Sequence, residues 1–410
     1  LPGIIRVDGN DGKLMTDPRP VATEVEAQDE IHWPSLIAAI AAISAVGIAI
    51  GLGLPLLTVL LEKRGIAASL TGLNTAMAGI AAMIAAPITT RLAHRFGVAN
   101  TMLWAVMISA ISALGFYYIE NFWAWFPLRI VFHGAITALF ILSEFWINVA
   151  APSRKRGLVL GIYATVLSIG FALGNVIFSV VGSNGFLPFA VGSAIILMAA
   201  IPIFMARHES PALDEKPMGH FLRYLMLVPT ASFAVFVFGA VEAGGMAMFP
   251  IFASQEGFSE SHAGFLLSAM AMGNVIFQIP VGMLSDRLRD RRKLLTTIGI
   301  IGLAGSLLLP YVTHDWRVFA ILLLIFGGAI AGLYTVGLSH LGSRFRGAEL
   351  AAANAAFIFS YAVGTVVGPQ AIGIGMDLFG SSGYPWTITV FFGAFVLFGL
   401  SRLFFHPPKA

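Results

Sequence analysis

Residues 35–61 read SLIAAIAAISAVGIAIGLGLPLLTVLL, without one charge. A membrane-spanning helix needs about 20 mainly apolar residues, so this run is long enough to cross a bilayer with some tilt. It is too long for a secretory signal, lies too far from the N-terminus and is followed by many more of its kind. Eleven further apolar segments lie at about 67–90, 100–119, 123–149, 157–182, 186–206, 224–253, 261–284, 294–313, 316–340, 348–375 and 384–404. A backbone in lipid must satisfy its own hydrogen bonds, so each segment is read as a helix. The fold class expected is an all-α membrane protein with twelve transmembrane helices. The turn-forming joints, Gly97, Pro152, Ser183-Asn184-Gly185 and Ser381-Ser382-Gly383, fall between segments.

Composition agrees. The chain is 58% hydrophobic and 11% charged, where a soluble domain is about half apolar and a quarter charged. It has no cysteine, which excludes thiol catalysis, disulfides and thiolate metal sites. Nine histidines are scattered without metal-ligand spacing. H-E-x-x-H, G-x-S-x-G and Walker patterns are absent, and no cofactor or enzymatic activity is expected. The net charge of +3 is no sign of nucleic-acid binding, because in a membrane protein the side on which charge lies matters more than its sum. Twenty of the 24 Lys and Arg fall in the N-terminal tail, the even-to-odd loops or the C-terminal tail; Lys63, Arg64 and Arg317 fall on the other side and Arg129 within a span. The asymmetry puts both termini in the cytoplasm, and the chain in the inner or plasma membrane. Residues 1–34 form a cytoplasmic tail; within it, LPGIIRVDGNDGKL (1–14) reads as foreign to the fold, with Met15 opening a polar natural start.

The densest charge is GMLSDRLRDRRKLL, residues 282–295, with a faded copy, TTRLAHRFG, at 89–97. As topology anchors these runs are ordinary, but anchoring does not require copies. Asp286-Arg287 lies 192 residues after His94-Arg95, and Gly264 lies 192 after Gly72. Arg344 lies 190 after Arg154, and Gly364-TVV-Gly368 lies 194 after Gly170-FAL-Gly174. Nearly one offset at four places implies two homologous halves, 35–206 and 223–405, joined by a polar cytoplasmic loop, 207–222. Parallel six-helix repeats point to a transporter with its site near mid-membrane between the halves.

With twelve spans, a 6+6 repeat and the loop signature G-x-x-x-D-R at Gly282–Arg287, the chain resembles the major facilitator superfamily over about residues 35–405. The stretches SEFWINVAAPSRKRGLVLGIYATVLSIGFALGN and AAANAAFIFSYAVGTVVGPQ resemble its YcaD-type branch. The resemblance implies two pseudo-symmetric six-helix halves rocking about a central site, driven by a solute or proton gradient. It also implies that each charged loop sits under the cytoplasmic start of a helix in the other half, the fifth for the second copy and the eleventh for the first. The departures matter. Thr90 and His94 replace the signature Gly and Asp in the first copy, and His133 replaces the usual Gly four residues after the family's Arg, Arg129. Gly-x-x-x-Gly-Pro occurs only at Gly364–Pro369, so efflux loses its best motif. The plain reading of these glycines is close helix packing.

Ionisable groups within spans are functional by default. In the fourth helix a stripe runs Arg129, His133, Thr137, Phe140 or Ile141, Glu144, Asn148, at spacings that keep one face. Arg129 and His133 are read as substrate or coupling groups, with Thr137 beside them. Glu144, near Arg154-Lys155-Arg156, is read as a gate or brace. Glu242, in FGAVEAGGMAMFP, is the one acid placed near mid-membrane and is read as the proton carrier, with Arg129 as its counter-charge or as the holder of an anionic substrate group. A structural, hydrogen-bonded Glu242 is the alternative. Asn74, Asn274, Gln278, Tyr334, Asn354 and Tyr361 are further cavity candidates, although such groups are commonly interhelical glue. Asp286, with Gly282 and Arg287, is expected to latch the cytoplasmic side under the fifth helix, with Arg287, Arg291 and Arg292 anchoring the loop to headgroups. Glu349 starts the eleventh helix, either capping it or pairing with His94 or Arg95 in a swapped charge arrangement. The expected function is secondary active transport of a small organic solute with protons, by a monomer whose partners are the solute, H+ and the bilayer, with no nucleic acid. Uptake and drug or metabolite efflux stay open within transport, and a non-transporting membrane sensor is the rival class.

Overall fold

The computed structural model describes residues 33–151, 156–211, 223–288, 290–345 and 347–405. The tail before Trp33, most of the central loop and Arg154-Lys155 lie outside them. Every regular element among the described residues is helical. The helices of the first half are α1 Trp33–Lys63, α2 Ala68–Phe96, α3 Val98–Tyr118, α4 Trp125–Ala150, α5 Arg156–Val181 and α6 Leu187–Met198, which a short helix Ala200–Met205 continues. A turn of helix, Arg223–Leu227, introduces the second half: α7 Pro229–Gln255, α8 Glu260–Arg287, α9 Arg291–Val312, α10 Trp316–Gly342, α11 Gly347–Phe379 and α12 Gly383–Phe405.

Among the described residues, 11 helical stretches are long and apolar enough to cross a membrane. The last, Ala353–Phe404, is interrupted at Gly380–Ser382, where Gly380 takes φ 62°, so it forms two spans and the total is twelve. Caps start several helices where the sequence supplies a short polar residue. Ser259, Asp290 and Asp315 accept from backbone N–H groups of α8, α9 and α10. Large apolar side chains such as Ile111, Val180, Ile279, Ile321 and Leu397 cover the outside, a surface suited to lipid and unlike that of a soluble protein.

The repeat recurs in the packing. In the first half α1 packs on α5, α2 on α4, and α3 on α4 and α6; in the second, α7 packs on α11, α8 on α10, and α9 on α10 and α12. Apolar side chains form one cluster in α1–α6 and another in α7–α12, the second reaching across to Ala68, with Leu54 and Phe171 of the first half packed against it. The halves meet along α2 with α11 and α5 with α8. The glycines of the repeat make these approaches. A Cβ on Gly72 would collide with the Pro369 carbonyl of α11, and one on Gly264 would lie 2.6 Å from Ser179 Cβ on α5. The G-x-x-x-G pairs do the same within each half, Gly170 and Gly174 against α1 and Gly364 and Gly368 against α7. Close packing therefore accounts for these glycines.

Two faces can be distinguished. The terminal face carries Trp33, the α2–α3 and α8–α9 turns, and Phe405. The distal face carries Lys63, Ser183, Glu260 and Asp377. On the terminal face the beginning of the central loop is fastened to the first half: Glu209 accepts from Ser35 Oγ at 2.8 Å and Ser210 Oγ accepts from Ala99 N at 3.1 Å.

Candidate functional site

Among the described residues, the hydrogen bonds and ion pairs that cross between the halves all lie toward the distal face. Lys63 at the end of α1 pairs with Glu260 at 2.6 Å, and Glu260 also accepts from Ser183 N at 3.0 Å. The ammonium of Lys63 donates in addition to Ser183 Oγ at 2.8 Å and Asn184 Oδ1 at 3.0 Å. On the other side Asp377 of α11 accepts from Ala68 N at 2.9 Å and Ser69 N at 3.0 Å. It thereby caps α2, whose own N-cap residue, Ala67, has no side-chain acceptor. One level deeper, Ser268 of α8 donates to the Ala172 carbonyl of α5 at 3.2 Å. These contacts fasten the two halves together on the distal side. None of these pairs was anticipated from sequence. The one legible signal was α2 beginning after Ala67 without a capping side chain, which leaves its first N–H groups in need of an acceptor from elsewhere.

Glu242 stands midway along α7, about 20 Å from either end by helical rise. It is half-buried, and Tyr361 Oη of α11 donates to its Oε2 at 3.0 Å. Aromatic rings surround this pair. Phe238 lies 5.1 Å from Tyr334 of α10 and 5.6 Å from Tyr361, centroid to centroid, and Tyr334 lies 5.4 Å from Phe357. Two second-rank candidates, Tyr334 and Tyr361, therefore join the leading acid; Phe238 and Phe357 were not singled out because phenylalanines are everywhere in this chain. Glu144 is exposed. It has no ion pair among the described residues, and Arg154 and Lys155, its expected partners, lie outside them. Asn148, next in the stripe, donates back to the Glu144 carbonyl at 2.9 Å.

Arg129 is not in this group. It lies about 6 Å inside the distal end of α4, much nearer the surface than Glu242. It is nevertheless 0% exposed, because it points between α4 and α2, where its Nη1 donates to Thr75 Oγ1 at 3.4 Å. His133 is also buried, with Nδ1 3.2 Å from the Arg129 carbonyl. The expected pairing of Arg129 with Glu242 is therefore corrected: a stripe at constant spacing crosses the whole membrane, and its two ends lie at different depths. Asn74 belongs with Arg129, fully enclosed on α2. Thr137, Asn274, Gln278 and Asn354 are half-buried and make no side-chain hydrogen bond among the described residues.

The residues expected to form a gate lie on the terminal face. Asp286 is 75% exposed, with Arg291 at 3.7 Å; Gly282 and Arg287 stand beside it at the end of α8. His94, Arg95 and Glu349 are exposed, and Glu349 lies in the first turn of α11. Arg292 differs from expectation. Its side chain is only 7% exposed and grips Asp290 in a bidentate pair at 3.0 and 2.9 Å, so it braces the loop and does not reach for headgroups. The Arg292 hydrogen bonds hold the Asp290 carboxyl below its ordinary range, against a smaller opposing effect of burial.

The comparisons with known proteins agree with this architecture. The chain is 26% identical over 359 residues to the MFS-type transporter YfkF of Bacillus subtilis, covering 85% of this chain and 90% of that one. It is 25% identical over 288 residues to the MFS-type transporter YcaD of Escherichia fergusonii, covering 69% and 73%. The structure resembles that of the nucleoside transporter NupG, with TM-score 0.70 at 12% identity over 92% of this chain and 100% of that one. It also resembles a bacterial homolog to the human lysosomal transporter Spinster, with TM-score 0.68 at 14% identity over 94% and 97%. The family model of the Major Facilitator Superfamily matches residues 35–227 and 231–410, and the chain belongs to that superfamily of membrane transporters.

Proposed function

We propose that this transporter moves a small organic solute by alternating access with coupled protons, and that Glu242 is the group that carries the proton. The observation that carries the reading is the half-buried Glu242 carboxylate at mid-span, bonded by Tyr361 beside the rings of Phe238 and Tyr334. An ionisable group held at that depth is expensive unless it serves transport. Aromatic walls offer an apolar body for the solute, and the carboxylate and phenols offer its polar fixing points. Rocking of the halves would break the Lys63–Glu260 and Asp377 contacts and close the terminal side.

The terminal face is assigned to the cytoplasm of an inner or plasma membrane, with the transporter acting as a monomer. Arg91, Arg95, Arg207, Arg223, Arg287, Lys293, Arg344 and Arg402 lie at that face, against Lys63, Arg64 and Arg317 at the distal one, which supports this orientation. The test begins with a thermal-shift screen of metabolite and drug libraries on the purified protein. Hits are then followed in proteoliposomes carrying a pH-sensitive dye. Glu242→Gln should abolish pH-driven accumulation while sparing solute exchange. Unchanged pH-driven accumulation in that variant removes Glu242 from coupling.

A further inference from the structure

The most conspicuous chemistry outside the central cavity is the enclosed guanidinium of Arg129. Its Nη1 makes one long contact with Thr75, while Nε and Nη2 have no protein acceptor. Its contact Thr75 shares one stripe of α2 with Thr71 and Asn74, at i, i+3 and i+4, each at most 1% exposed. Thr71 Oγ1 and both side-chain polar atoms of Asn74 are also without a partner. Among the described residues no carboxylate forms an ion pair with Arg129. Glu242 and Asp377, the acids on the helices across the half-interface, are engaged with Tyr361 and with the start of α2.

A guanidinium offers five donors, no acceptor, and a charge that persists at any working pH. Enclosing it without a counter-charge is among the costliest arrangements in a protein. Solvation alone would satisfy the N–H groups but would leave the charge uncompensated. We infer that the buried polar cluster between α2 and α4 binds a small monovalent inorganic anion of chloride size, held by Arg129 Nε and Nη2 together with the Asn74 amide and the Thr71 hydroxyl. The set is rich in donors, as an anion requires. One positive charge calls for one negative charge, and the burial of every side chain in the set favours a small ion over sulfate or an organic acid. The carboxylate of a transported solute is excluded by position. Arg129 and Asn74 are each 0% exposed, and His133, one turn along α4, is buried with its Nδ1 3.2 Å from the Arg129 carbonyl. The site is therefore a structural ion site beneath the distal seal, independent of the proton chemistry at Glu242.

The test uses the purified full-length chain in detergent, at constant pH and ionic strength, with gluconate replaced stepwise by chloride or bromide. The unfolding temperature of the wild type should rise saturably with either halide and not with sulfate. Asn74→Leu keeps the charge and removes one anion-bound donor, so halide affinity should fall roughly tenfold or more. Arg129→Met should lose all halide response and, in gluconate, unfold at a higher temperature than the wild type because its buried charge is gone. Crystals grown in bromide supply a measurement that does not depend on variants folding: an anomalous peak is expected within contact of Arg129 and Asn74. No saturable halide response, together with no bromide at that position, overturns the proposal in favour of a merely hydrated pocket.

Discussion

Neutralising Glu260 should unfasten the distal side. Glu260→Gln removes the ion pair with Lys63 and weakens the bond from Ser183 N. The two side chains are 30% and 44% exposed, so the ion pair itself is worth about 0.5–1 kcal/mol. Replacing a carboxylate acceptor by an amide costs roughly 1 kcal/mol more. The sum, about 1.5–2 kcal/mol, shifts the ratio of distal-closed to distal-open molecules roughly ten- to thirtyfold. The chain has no cysteine, so a single introduced thiol reports the opening. Ser268 is 8% exposed and faces α5 beneath the seal, and Ser268→Cys should react with a polar maleimide only when α5 and α8 part. In the Glu260→Gln background its labelling should accelerate about tenfold or more. Lys63→Met leaves the Ser183 bond in place and should accelerate it only about two- to fivefold. Equal labelling rates in all three backgrounds, with the same thiol reacting fully in unfolded protein, would refute the claim that this contact holds the distal side shut.

Orientation is checked in cells with an impermeant thiol reagent: Asn184→Cys should react from outside and Asp214→Cys should not, and the opposite pattern reverses the assignment of the faces. Asp290→Asn should destabilise the protein at neutral pH by about 1–3 kcal/mol, because it leaves the enclosed Arg292 with a weaker partner. The folded-state carboxyl lies below its ordinary value of 3.8, so its contribution is fully present above that value and is lost as pH falls through the lower folded one. Thermal melts of variant and wild type should therefore converge in acid, and a constant gap across the titration contradicts the reading.

The membrane class, the helix count and the repeat were legible because each rests on a property repeated many times along the chain. Apolar length marks every span, and the offset near 192 appears at several separate landmarks. The glycines proved informative for the same reason: Gly72 and Gly264 correspond in the repeat and each permits a close approach between the halves. The site was legible only in part. Glu242 stands out because an acid in mid-span is rare, and helical spacing places it correctly in depth. Arg129 was misplaced because spacing records which face a residue occupies, and says nothing of which neighbour that face meets. Apart from the uncapped start of α2, the distal contacts left no mark in the sequence, because Lys63, Ser183, Glu260 and Asp377 lie at span ends, where polar residues are ordinary. Arg292 shows the same limit, since a basic residue in a charged loop reads as a surface anchor until its partner, Asp290, is seen.

The repeat gives the distal contacts a further meaning. Glu260 at the start of α8 corresponds to Ala68 at the start of α2, and Asp377 at the end of α11 corresponds to Ser183 at the end of α5, at offsets of 192 and 194. Both interfaces thus join one acid to backbone N–H groups, but the acid has changed place: it is on α8 where α8 meets α5, and on α11 where α11 meets α2. The same exchange recurs at the terminal face. Asp286 lies at the end of α8, its counterpart His94 near the end of α2 is basic, and the missing acid stands at the start of α11 as Glu349. All four acids then belong to the second half, and the first half supplies amides and bases. When the distal side opens, Glu349 should meet His94 or Arg95. The pairing is best sought in the Glu260→Gln background, which favours that state, with Asn354→Cys, a half-buried position two turns into α11, as the reporting thiol. Glu349→Gln should speed its labelling, and a cycle with Arg95→Ala or His94→Ala should show coupling of about 0.5–1 kcal/mol, as exposed ion pairs do. Coupling in the cycle with His94→Ala alone identifies His94 as the partner, whereas coupling in the cycle with Arg95→Ala alone identifies Arg95. Strict additivity in both cycles would mean that Glu349 only caps its own helix, and that Asp286 alone holds the terminal side.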